Sequence, residues 1–205
     1  MGWATSGATS VNRVPGCWAD GSDPLLADYH DAEWGRPVTD TRGLYERLCL
    51  EGFQSGLSWR TVLAKRPAFR QVFAGFDPPA VAAFGPDDIE RAMLDARIVR
   101  NRRKIEATVA NARAVLALDE PLPALIWSAA PAPGPAPVSL NHVPASSPES
   151  VALARDLRRR GFAFVGPTTV YALMQACGLV NDHLASCPVR AEVEAERRAV
   201  ASPTG

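Results

Sequence analysis

Apolar positions recur at helical intervals along most of this chain, and no stretch alternates convincingly in the manner of a half-buried strand. Leu44 and Leu48 stand seven and three residues before Glu51, so on one helix the three share a face, with Asp40 placed to cap it. Asp23 and Pro24 open a shorter helix through Tyr29. Ser58 caps the segment WRTVLAKR, which should end before Pro67. Beyond it Phe69, Val72, Phe73 and Phe76 keep helical spacing and read as core. From Pro86 the pattern is helix, sharp turn, helix. Asp87 and Glu90 form a capping box ahead of Ile89, Met93 and Leu94; the turn ARIVRN follows; a long helix through Ala117 then points Ile105, Val109, Ala112, Val115 and Leu116 inward. Ser128 to Pro148 has six prolines and no period, which makes it a loop, either a flexible connection or a segment packed loosely over the surface. Ser147, Pro148 and Glu149 start another helix, with Val151, Ala154 and Leu157 inward, until Gly161 stops it; a buried helix, TTVYALMQACG, ends at Gly178. The expectation is an all-α chain without internal repeats.

Composition narrows the picture only slightly. With 205 residues, 47 % apolar and 21 % charged, the chain is long enough for one ordinary domain or two small lobes sharing a core. Lys plus Arg equals Asp plus Glu at 22 each, so any nucleic-acid surface must be local. No apolar run approaches the ~20 residues of a membrane span, and the N-terminus lacks the pattern of a secretory signal. A cytoplasmic monomer without a membrane partner is expected. Residues 1–16 are small, polar and aperiodic, and read as a disordered extension; MGWATS fits a myristoylation pattern at Gly2, a permissive match taken as coincidence. Residues 17–190 form the single domain of two helical lobes, with the loop 128–148 inside it, and 191–205 a polar C-terminal tail.

Three groups of residues carry candidate chemistry. In LEGFQSGLSW, Glu51 projects from an apolar stripe, where an unpaired carboxylate costs several kcal/mol or neutralises. Gly52 and Gly56 permit close backbone approach and Trp59 adds a flat aromatic surface, which together suit a base-binding pocket; a Glu paired with an Arg at a helix end fits the same residues. Arg97, Arg100, Arg102, Arg103 and Lys104 crowd the sharp turn and the helix start after it, where free N–H groups already favour a phosphate. That is a helix-hairpin-helix outline, although a solvated basic face would look alike and the hairpin has no glycine. Finally, Cys17 precedes His30 by thirteen residues and His183 precedes Cys187 by four. Two thiolates and two imidazoles would make a closed tetrahedral zinc set tying the two ends together, yet neither pair matches a common finger spacing and coincidence stays open. Four cysteines make no disulfide framework here; Cys49 and Cys177 read as core, and His142 as a loop residue.

With YHDAEWG at 29–35, LEGFQSGLSW at 50–59, GFAFVG, and MQACGLVNDH at 174–183, the sequence resembles the bacterial 3-methyladenine DNA glycosylase I family over nearly all of 17–187. The resemblance implies an all-α helix-hairpin-helix DNA glycosylase with one structural zinc ion, acting on alkylated double-stranded DNA. Matched by motif position, Cys17, His30, His183 and Cys187 become the zinc ligands. Glu51, the candidate catalytic residue, joins Tyr29 and Trp59 in holding a flipped base, with Trp34 close by. The five bases of the turn become the DNA contacts. Trp18 stands one place before the family's usual tryptophan, and Leu26 stands where the family often has tyrosine. No lysine stands out as a Schiff-base nucleophile, so a monofunctional enzyme leaving an abasic site is expected. A non-catalytic binder of alkylated DNA would use the same pocket, whereas a zinc hydrolase needs an open metal position that four strong ligands deny.

Overall fold

The computed structural model describes residues 17–19 and 21–201, so the expected N-terminal extension, Gly2 included, lies outside the described residues. Among the described residues the regular elements are helices: α1 (Pro24–Ala32), α2 (Thr41–Gln54), α3 (Trp59–Val72), α4 (Pro78–Ala82), α5 (Pro86–Leu94), α6 (Arg102–Leu116), α7 (Leu122–Trp127), α8 (Pro148–Arg159), α9 (Pro167–Ala176) and α10 (Arg190–Ala201). Local chemistry sets their starts. The side chains of Asp23, Asp40, Ser58 and Asn101 accept from backbone N–H groups in the first turns of α1, α2, α3 and α6, each cap contributing ~1 kcal/mol.

The centre of the molecule is α2. Leu44, Tyr45, Leu48, Cys49, Leu50 and Phe53 are all buried, so the helix is covered on most sides, by α3, α6, α7 and α9. Tyr45 ties its first half to α6 by donating to the Thr108 carbonyl at 2.8 Å. A smaller apolar cluster of Leu184, Val189 and Val193 surrounds Cys17 and Cys187 where the two ends of the domain meet.

Several local expectations need correction. Helix α3 runs through Pro67 to Val72. A proline inside a helix costs ~3 kcal/mol, but Phe69 and Phe73, both fully buried, each recover ~1.5–3 kcal/mol only if the helix continues. The cap of α5 is Gly85, whose N–H donates to the Asp88 carboxylate at 2.8 Å, in place of an Asp87–Glu90 box. Leu94 and Leu116 are 80 % and 55 % exposed, because both sit at helix ends that outrun their packing partners. On α8 the inward stripe is Ser150, Leu153, Ala154 and Leu157, leaving Val151 exposed. The expected polar tail is largely α10: Val193 is buried, Arg36 bridges Glu192 and Glu196, and Arg197 donates to the carbonyls of Gly178 and Leu179 at 2.6 and 2.8 Å. A helix with one buried stripe and a charged outer face reads as tail when only its polarity is counted.

Candidate active site and metal centre

Helices α1, α2, α3 and α9 and the Pro-rich loop enclose a cavity of about 330 Å³. Tyr29 from α1, Trp34 just after it, Glu51 from the last turn of α2 and Trp59 at the start of α3, the residues singled out in the sequence for a base pocket, line it together. Trp18 lines it too, despite its one-place displacement, whereas Leu26 is not among its lining residues. The aromatic rings contact one another: Tyr29 and Trp59 at 5.2 Å between centroids, Trp18 and Trp34 at 5.4 Å. Sequence reasoning missed Gln54, Leu140, Val143, Ala172, Gln175 and Asp182. Of these, Gln175 and Asp182 lie in the MQACGLVNDH motif, and the Asp182 carboxylate accepts from Gln175 and from the Tyr171 hydroxyl at 2.9 and 2.8 Å. Leu140 and Val143 come from the loop, which carries no periodic signal.

Glu51 is 6 % exposed, and among the described residues nothing donates a hydrogen bond to its carboxylate. Burial pushes its carboxyl up to about 8, against a partial pull from the Arg47 guanidinium. Burial also raises the Tyr29 hydroxyl well above the usual range, and the nearby Glu51 adds to it. The pairing of Glu51 with a helix-end arginine is therefore incomplete: Arg47 lies 3.7 Å from Glu33, which Arg66 also clasps at 2.6 Å through both oxygens. The indole N–H groups of Trp18 and Trp59 are buried without an acceptor among the described residues, at a cost of ~1–3 kcal/mol each. The cavity thus combines aromatic faces with a carboxyl that burial pushes toward its neutral form.

Next to it, one ligand atom each from Cys17, His30, His183 and Cys187 lie within 4.8 Å of one another, all four residues buried. His30 Nε2 is 3.0 Å from Cys17 Sγ and 3.1 Å from His183 Nδ1, and Cys187 Sγ is 3.5 Å from His183 Nδ1. Tetrahedral zinc with ordinary bond lengths requires separations of about 3.3–3.8 Å between such donors. The outer nitrogens fix the tautomers: His30 Nδ1 donates to Asp31 at 2.7 Å and His183 Nε2 to the Trp34 carbonyl at 3.0 Å, leaving both inner nitrogens free to ligate. Contact with Cys187 holds the Cys17 thiol far below its usual range and Cys187, as donor, above its own. This group can hold a metal ion.

The five bases fare differently. Arg97 is clasped by Asp95 at 2.7 Å and reaches Gln71, and Arg102 pairs with Glu90 at 2.8 Å. Arg100 and Arg103 are exposed, without an ion pair among the described residues. Lys104 corrects the sequence expectation: it is 7 % exposed, and its ammonium donates inward to the carbonyls of Phe53 and Ser55 at 2.8 and 2.5 Å. Buried on carbonyls, it is withdrawn from any phosphate.

The same scaffold is found in solved structures. The chain superposes with a TM-score of 0.81 on a crystal structure of 3-methyladenine DNA glycosylase I, at 48 % identity and covering 84 % of this chain and 98 % of that one. It is similar, with a TM-score of 0.80 and 33 % identity over 82 % and 93 % of the two chains, to the Staphylococcus aureus enzyme solved to explain 3-methyladenine recognition. The fold is that of helical DNA glycosylases. The sequence is 49 % identical over 171 residues to DNA-3-methyladenine glycosylase 1 of Escherichia coli K12, covering 80 % of this chain and 91 % of that protein. A family model for methyladenine glycosylase matches residues 18–191, and the chain belongs to that family.

Proposed function

We propose that this protein hydrolyses the N-glycosidic bond of 3-methyladenine in alkylated double-stranded DNA, initiating base-excision repair. The observation that carries the reading is the buried, donor-free Glu51 carboxyl facing an aromatic cavity in a chain of this family. Methylation at N3 makes adenine cationic while it is attached to the sugar, which weakens the bond and marks the base. Ionising Glu51 at pH 7 against its value of about 8 costs on the order of 1 kcal/mol. A cationic ring about 4 Å away returns roughly 4 kcal/mol at an effective dielectric of 20, and stacking on Tyr29 and Trp59 adds ~0.5–2 kcal/mol. Normal adenine offers no charge, so it gains less from both: it stacks on the rings without the cation–π part and gives Glu51 no opposite charge. Selectivity arises at extrusion into the pocket.

The enzyme is monofunctional. Its lysines are Lys65 and Lys104, and both ammonium groups are held by backbone carbonyls, Lys65 by Ala96 and Arg97 and Lys104 by Phe53 and Ser55. Neither lines the cavity. The hairpin of α5, the turn and α6 is the DNA anchor, with Arg100 and Arg103 available for phosphates and Arg97 and Arg102 reachable once their acidic partners yield. The metal is zinc, held by Cys17, His30, His183 and Cys187; when bound it supplies fixed coordination bonds between the two ends of the domain and no open position. A monomer in the cytoplasm, where the thiols stay reduced, completes the reading.

The test is to incubate the purified protein with duplex DNA treated with a methylating agent and to separate the freed bases. Release of 3-methyladenine with 7-methylguanine spared is expected, falling about 10–100-fold in Glu51→Ala through loss of a charged contact. A folded, metal-loaded protein that releases nothing but retains methylated DNA would be a non-catalytic binder.

A further inference from the structure

Lys104 is buried, 7 % exposed, and lies outside the cavity. Helix α2 has no basic residue in its last turn, although helix ends leave carbonyls unpaired and carry the negative end of the dipole. The ammonium that meets this end arrives from the first turns of α6, bridging Phe53 O at 2.8 Å and Ser55 O at 2.5 Å. Those carbonyls bracket the point where α2 gives way to the link 55–58, in which Gly56 takes a φ of +79°. Glu51 lies in the last turn before the link and Trp59 is the first residue after it. Both line the cavity.

We propose that Lys104 is a positioning residue that fixes the separation of Glu51 and Trp59, and hence the fit of the methylated base, by locking the α2–α3 link from behind. The inference rests on the proposed function and adds a residue that touches neither base nor DNA. Without the ammonium, two carbonyls at the helix end lose their donor and the link is free to shift. Shifts of a fraction of an ångström in a supporting shell are enough to degrade a site.

The test compares Lys104→Met and Lys104→Gln with the parent, each assayed where circular dichroism shows it folded. Three quantities are read: binding of free 3-methyladenine, kcat and KM on methylated duplex, and the salt dependence of binding to undamaged duplex. Free-base affinity should fall about tenfold or more in the Met variant. The Gln variant, which keeps an N–H donor, should recover part of that loss. Affinity for undamaged duplex and its salt slope should stay at the parent values. A salt slope reduced by about one, with free-base binding unchanged, would make Lys104 a phosphate contact and overturn the proposal. Unchanged free-base binding in the folded Met variant would overturn it as well. Should the parent itself bind no 3-methyladenine, the functional reading fails, and that result is distinct from a variant behaving like a competent parent.

Discussion

Glu51 is where folding and proposed chemistry pull in opposite directions. Its folded carboxyl is held up at about 8 by burial, against 4.5 ordinarily. Below pH ~4.5 both folded and unfolded chains keep the proton, and the residue favours neither. Between ~4.5 and ~8 the unfolded chain releases the proton while the folded one retains it, so stability falls as pH rises through that window. Above it the folded carboxyl ionises too and the decline levels off. Glu51→Gln keeps the shape without the charge. It should match the parent near pH 4.5 and exceed it by on the order of a few kcal/mol at pH 8.5, read as a higher urea midpoint with unchanged slope. A variant no more stable than the parent at pH 8.5 would mean that the folded carboxylate is already ionised and compensated, which would remove the selectivity argument built on it.

At the scale of elements, the site depends on how α9 closes against the segment between α1 and α2. Gly178 ends α9 with a φ of +78°, and a Cβ there would lie 2.6 Å from Gly35 O and 2.8 Å from Pro37 N. Beside it the Val38 N–H donates to the Cys177 carbonyl at 3.1 Å. Gly178→Ala therefore combines a strained backbone with contacts against main chain that cannot rotate away. A loss of about 3 kcal/mol or more in chemical denaturation is expected, against the ~1 kcal/mol of an ordinary exposed glycine change. What the sequence disclosed divides along the same line between local and distant causes. The starts of α1, α2 and α3 were legible because a capping side chain and an apolar stripe lie within a few residues of each other. Pro67 was misread because its local cost is visible, while the distant burial of Phe69 and Phe73 that outweighs it is not. Glu51 was legible as a charge on an apolar face. Lys104 could have been: at i, i+4 and i+7 it shares a stripe with Thr108 and Asn111, all buried, and the run of bases around it obscured that. Leu140 and Val143 had no such signal, since an aperiodic loop becomes a cavity wall only through long-range anchors such as the Ala185 N–H on the Pro137 carbonyl at 2.8 Å. The two Cys–His pairs were visible as pairs, and their meeting as one set was one of two open readings until the family resemblance favoured it.

For the molecule as a whole, the Cys17–His30–His183–Cys187 group, which can hold a metal ion, and the cavity are one construction. Cys17 adjoins Trp18, His30 adjoins Tyr29, His183 adjoins Asp182, and the Trp34 carbonyl accepts from His183 at 3.0 Å. All four neighbours line the cavity. An ion that fixes the ligands therefore fixes the aromatic walls as well, and binding free energy at such a centre is also folding free energy. Cys187→Ser removes one donor of four. It should be purified with less than one metal per chain by elemental analysis, and melt lower by about 5 °C or more. Its affinity for free 3-methyladenine should be reduced even well below the melting transition, where the chain is folded, because Trp18 and Trp34 lose a fixed neighbour. Parent protein stripped by a chelator should show the same pair of losses and regain both when zinc is restored, whereas Cys187→Ser should regain neither in full. If the stripped parent keeps its melting midpoint but loses base binding, the ion serves the cavity alone; if it keeps both, the four buried side chains hold together by their own hydrogen bonds and the metal assignment falls.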